Sequence, residues 1–201
     1  MKKIVTLLSI VALVSGCMMP LGKISTYQMI PKLEYRGFTV KRPADTRWYL
    51  NISEQDHTKA MFRMDDTQTH TIFASIGLEG IEKQPASIDE FEQIVKSVMT
   101  APSSNGTTKV LEYTSTKSMK QGQWCINYSS KSLALSAKVS DRPLVMTIKG
   151  FAVLHPSWPK TVVNAHISQR GDEKDISPEI DKIGEQLLDG VRLESAPGKE
   201  I

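Results

Sequence analysis

Cysteine is scarce in this chain: Cys17 and Cys125 are the only two among 201 residues. There is no C-x-x-C pair and no H-E-x-x-H. The four histidines, His57, His70, His155 and His166, are scattered. Zinc sites draw three or four ligands at recognisable spacings, so the pattern indicates no metal. G-x-S-x-G is also missing, and with it the elbow that presents a serine nucleophile. Neither a P-loop nor a dinucleotide fingerprint occurs, since "NGTT" and "IGLEG" fall short of both, and no cofactor is implied. Neither sign of charge dominates, with 25 Lys and Arg against 22 Asp and Glu. That balance leaves no basic footprint for nucleic acid.

Long apolar runs are missing too. The stretch Ile4–Val14 covers eleven residues, and a spanning helix takes about 20. Lys2 and Lys3 precede it, and small residues follow, which is the layout of a secretory signal peptide. Here Val14, Ser15 and Gly16 lead straight into Cys17. "VSGC" resembles the lipobox of bacterial lipoproteins. In that family the peptide is cut before the cysteine, whose thiol receives a diacylglyceryl group and whose new amine is acylated. A plain secretory peptide, or a fortuitous cysteine, is the alternative. Residues 1–16 are thus expected to be a lipoprotein signal peptide, with lipidation at Cys17. Each buried CH₂ contributes about 0.8 kcal/mol, so several palmitate-like chains would hold the protein on a membrane. Met18 stands where an aspartate retains family members at the inner membrane; this favours the periplasmic face of the outer membrane.

Removing residues 1–16 leaves 185 residues with 23 basic and 22 acidic side chains, a length that suits one domain. With Cys17 acylated, Cys125 has no intramolecular partner. Free cysteine packs as a small hydrophobe, and no basic residue lies within four positions of it in sequence to activate it. Intermolecular pairing is the other reading.

Residues 17–34, with two prolines and no sustained period, read as a tether. From Tyr35 onward, apolar residues alternate, the mark of strands with one buried face. Phe38 and Val40 alternate, as do Trp48, Leu50 and Ile52, then Ala60, Phe62 and Met64, then Ile72, Ala74, Ile76 and Leu78. The period then changes. Ile88, Phe91, Ile94, Val95 and Val98 form a helical stripe, opened by Ser87 and Glu90 in a capping-box pattern. Strands resume in "TKVLEYTST", "GQWCINYS", "LALSAKV", "LVMTIKGFAVLH" and "TVVNAHIS", the first two joined by a turn in "KSMKQ". "LVMTIKGFAVLH" is apolar on both faces and belongs inside the sheet. A second helix begins at Ser177-Pro178, with Ile180, Ile183, Leu187, Leu188 and Val191 as its stripe. Gly184 and Gly190 each weaken it by about 1 kcal/mol. Residues 195–201 form a polar tail. The order predicts an α+β domain over residues 35–194, a mainly antiparallel sheet with helices packed on it.

The opening "YRGFTVKRPADTRW", the helix "SIDEFEQIVKSVM", the antiparallel run and the closing "SPEIDKIGEQLLDGV" resemble the PsbP-like fold family. That family includes photosystem II extrinsic proteins and many bacterial lipoproteins. The resemblance implies an α/β/α sandwich. It also implies an accessory, assembly or binding role rather than catalysis. It transfers no functional residue.

Two candidate sites remain. Trp158 lies between Pro156 and Pro159, which fix the loop backbone, so it could be a preorganised partner-binding anchor. It could equally fold back to cover the sheet edge. His155 and His166, with ten residues between them, could meet across a hairpin and serve an envelope hydrolase. The expected function is that of a noncatalytic, lipid-anchored protein that binds or stabilises another envelope protein. The alternatives are that hydrolase and a carrier of small apolar ligands, which needs an enclosed pocket of about 300 Å³ or more.

Overall fold

The computed structural model describes residues 23–25, 31–51, 58–64, 70–103, 106–135, 140 and 142–194. The signal segment 1–16, Cys17, His57 and the tail 195–201 lie outside the described residues. The strands are β1 (Lys23–Ser25), β2 (Lys32–Tyr35), β3 (Phe38–Lys41), β4 (Trp48–Asn51), β5 (Lys59–Met64), β6 (Thr71–Gly80), β7 (Thr108–Lys120), β8 (Gln123–Ala134), β9 (Leu144–Leu154), β10 (Thr161–Gly171) and β11 (Val191–Leu193). The helices are α1 (Ile88–Met99), between β6 and β7, and α2 (Pro178–Asp189), between β10 and β11.

Eight strands form one antiparallel sheet in the order β1-β4-β5-β6-β10-β9-β8-β7, and β11-β3-β2 form a second. The chain is α+β. Period-two alternation divides the main sheet into two faces. One face meets α2 and the small sheet, where Trp48, Phe62, Ile76, Val163, Phe38 and Val40 share one core. On the other face Phe91 and Val95 of α1 pack on Ile126, Ala152, Leu154 and Val162. The helices therefore lie on opposite sides of the sheet. Trp48 meets Phe62 edge-on, with ring centres 6.5 Å apart.

Both helices begin as their sequences require. The Ser87 hydroxyl accepts from the Glu90 amide at 3.2 Å, which satisfies a donor that the first turn leaves unpaired. The Glu90 carboxylate reaches one residue past the usual capping-box target and accepts from the Ala86 amide at 2.6 Å. Ser177 caps α2 by accepting from the Glu179 amide at 3.3 Å.

Five features differ from the sequence expectation. "GQWCINYS" and the start of "LALSAKV" are a single strand, β8, paired with β9 without a break from Cys125 to Ala134, and residues 136–139 lie outside the described residues. Lys23–Ser25 and Lys32–Tyr35, within the stretch read as a tether, are strands, and β1 pairs with β4. The α2 stripe stops short of Val191, because the helix ends at Asp189 and Val191 pairs with Val40 in the small sheet. "KSMK" is strand rather than turn. The β7–β8 turn is Gln121-Gly122, with φ of 51° and 77°, as a two-residue hairpin of matching twist requires. Finally, Gly184 is a packing residue. A Cβ there would come within 2.0 Å of Ile167 Cδ1, so the missing side chain is what lets α2 approach β10.

Candidate binding surface

The α2 face of the main sheet is only partly covered. Helix α2 packs on β10 and β9 and does not extend over β7 and β8. Where it stops, an open groove of about 390 Å³ runs between the helix and the sheet. Its floor consists of two cross-strand rows. Thr116 stands opposite Asn127, which stands opposite Phe151; Thr114 stands opposite Ser129, which stands opposite Lys149. Glu185, Leu188 and Asp189 of α2 form the wall. The rows follow from alternation: Ile126 and Tyr128 point into the α1 core, so Asn127 and Ser129 must point the other way.

The lining sets polar groups among apolar surface from Phe151 and Leu188. Asn127 Nδ2 donates to Ser118 Oγ at 2.9 Å. Lys149 Nζ lies 3.0 Å from Asp181 and 3.7 Å from Glu185. Its bond to Asp181 raises its pKa above the usual lysine value, against a lowering by partial burial. The ammonium therefore stays charged at neutral pH and is tied to the helix. Hydroxyls, an amide and a lysine–carboxylate pair offer donors and acceptors to a polar partner. The groove lining contains neither histidine nor cysteine.

Trp158 is folded back. Its ring stacks on His155 with centroids 4.2 Å apart and planes 11° apart. The Arg36 guanidinium sits 5.3 Å over the Trp158 ring. Gly37, at φ of 80°, lies beneath the ring, and a Cβ there would meet Trp158 at 2.4 Å. The loop thus locks onto the β2–β3 turn. His155 organises it: Nε2 donates to the Gly37 carbonyl at 3.0 Å, and Nδ1 accepts from the Ser157 and Trp158 amides at 3.2 and 3.1 Å. A ring nitrogen that accepts carries no proton, so this imidazole is neutral. Burial lowers its pKa in the same direction.

His155 and His166 are not brought together. The His155 amide bonds to Thr161, and His166 lies five residues further along β10, about 17 Å at 3.3 Å per residue. His166 faces the α1 side opposite Gly150 and Ser75. Burial, helped by Lys59, lowers its pKa to about 4. His70 packs against Gly171. Among the described residues no three His, Cys, Asp or Glu side chains converge as a metal shell. Cys125 is buried and free, and burial raises its pKa despite nearby Lys120, so the thiol remains protonated.

Two polar constellations went unrecognised in the sequence. Tyr128 donates to Asn164 Oδ1 at 2.6 Å, and Asn164 Nδ2 donates to Glu79 at 3.0 Å. Burial raises the Glu79 pKa. Gln169, fully buried, donates through Nε2 to the Ser177 carbonyl and Asp181 at 2.9 and 2.6 Å, and its Oε1 accepts from the Ser177 amide at 3.0 Å. Both depend on partners 8 to 85 residues away. The one local signal for either was a polar residue in an apolar strand.

No family model matches the chain, and no curated protein matches it. Among solved structures it is similar to the Ran-binding protein Mog1p of Saccharomyces cerevisiae. That match has 11% identity and a TM-score of 0.48, over 87% of this chain and 97% of that one. It is also similar to cyanobacterial PsbP (CyanoP) from Synechocystis sp. PCC 6803. There the identity is 13% and the TM-score 0.39, over 88% of this chain and 100% of that one.

Proposed function

We propose that this chain is a lipid-anchored protein of the bacterial envelope, PsbP-like in fold, that binds or stabilises another envelope protein without catalysis. Cys17 carries the lipid, and the outer membrane's periplasmic face is its site. The observation that carries the binding role is the groove beside α2. It is open, and its mixed polar and apolar floor sits on paired strands, so a partner segment can enter without the sheet having to reorganise. Its side chains form hydrogen bonds and the Lys149 ion pairs with Asp181 and Glu185, and none is an activated nucleophile. The two imidazoles considered for hydrolysis are far apart and neutral.

The test is crosslinking in intact cells from a photoreactive residue at Thr116, followed by mass spectrometry. One dominant envelope protein captured from Thr116, and not from Lys182 on the exposed side of α2, supports the reading. Equal capture from both positions, or turnover of an envelope substrate by the purified protein, overturns it.

A further inference from the structure

We propose that the end of the main sheet bearing the β9–β10 loop rests on the bilayer, with Trp158, Arg36 and Lys160 at the headgroups of anionic phospholipid. This rests on the reading that Cys17 is acylated. The first argument is chain length and direction. Strand β1 begins at Lys23, six residues after Cys17, and six extended residues reach about 20 Å. A free tether of residues 17–34 would have let the domain stand well clear of the membrane; pairing of β1 with β4 removes that slack. Lys23 lies opposite Asn51, so the preceding chain leaves toward the end where β4 finishes. The antiparallel ladder makes this the end where β6 stops at Gly80, opposite Thr161, and where β10 meets Leu154 of β9. The β9–β10 loop therefore stands at the anchored end.

The second argument is chemistry. Tryptophan favours the membrane interface, where its ring is apolar and its edge polar, and cations are drawn to an anionic leaflet. At this end Trp158 is half-buried, Arg36 lies over its ring, and Arg36 and Lys160 are exposed. Acidic residues near this end include Glu194, paired with Lys32 at 3.3 Å, and exposed Glu82, next to Ile81, whose amide donates to the Lys160 carbonyl.

Full-length acylated protein in vesicles of phosphatidylglycerol and phosphatidylethanolamine tests this, with a fluorophore on Ser157→Cys or on Lys174→Cys at the opposite end. Cys17 is blocked and Cys125 buried, so only the introduced thiol reacts. Nitroxide-headgroup lipid is expected to quench the Ser157→Cys label at least threefold more than the Lys174→Cys label. Arg36→Glu with Lys160→Glu is expected to abolish that difference. Equal quenching at both positions, in protein whose mass shows the acyl chains, overturns the docking while leaving the anchor standing. A mass without acyl chains overturns the anchor itself, and the docking with it.

Discussion

The α2 face of the main sheet has two halves built on one continuous ladder, and they differ completely. The half formed by β4, β5, β6 and β10 turns Trp48, Leu50, Phe62, Ile76, Val163 and Ile167 inward, and α2 with the small sheet seals it. The half formed by β7 and β8 turns Thr114, Thr116, Asn127 and Ser129 outward, and among the described residues no helix covers it. On the reverse side the pattern inverts: β8 presents Ile126 and Tyr128, and α1 packs there. Helices settle where alternation yields apolar rows, because only there does covering the sheet remove apolar area from water. The groove exists because the rows become polar before the sheet ends.

Truncation in the sealed half should sharpen this contrast most. Phe62 is fully buried. Phe62→Ala should cost about 3–5 kcal/mol, from lost transfer energy and the cavity left behind. Urea unfolding reads this directly. A loss no larger than that of a groove substitution would break the distinction between the halves.

The next effect is acid sensitivity. His166 takes up a proton at 6.5 when unfolded but only near 4 when folded, so the neutral ring is the folded form. Its stabilisation is complete above about pH 6.5 and is lost as pH falls toward 4, with an upper bound of about 3 kcal/mol. His155 acts in the same direction, since protonating Nδ1 would break the two bonds from Ser157 and Trp158. Glu79, raised by burial, opposes both. Comparing unfolding of the wild type and His166→Asn at pH 7 and pH 4.5 isolates the one ring. A slope unchanged by the substitution would show that His166 titrates normally.

Gln169 tests how α2 is held at the boundary between the halves. Gln169→Leu leaves the Ser177 amide without a partner and removes the bonds to the Ser177 carbonyl and Asp181, which costs about 1–3 kcal/mol. Hydrogen exchange should rise first in the opening turn of α2 and leave α1 unchanged. Uniform loosening of both helices would remove Gln169 as a local clamp.

Sequence made the sealed half legible and the open half much less so. Strict alternation in "KAMFRM" and "TIFASIGL" marks strands with one apolar face, and the stripe with Ser87 and Glu90 marks α1. These are local signals. The small sheet was not legible, because Val191 and Leu193 differ little from one more turn of helix until their pairing with Val40 and Phe38 is known. The groove was hidden for the same reason. Thr114, Thr116, Asn127 and Ser129 read as the solvated sides of two strands, and only the register and the end of α2 turn them into one surface. Trp158 was legible as a constrained loop residue. Which way its ring turned depended on Gly37, 121 positions earlier in the chain.

The smallest stability effect is the one that bears on function. Thr116 and Asn127 are exposed, and the Asn127 bond to Ser118 lies at the surface. Thr116→Ala with Asn127→Ala should therefore change unfolding by no more than about 0.5 kcal/mol, as surface substitutions usually do. A partner seated in the groove would lose both side chains at once, and capture from a neighbouring photoreactive site at Thr114 should fall at least tenfold. If the proposed binding role holds, stability is set by what α2 covers and recognition by what it leaves open, so the two measurements should separate. If capture survives the double substitution at full yield, the uncovered rows are merely solvated strand, and the binding surface lies elsewhere on the domain.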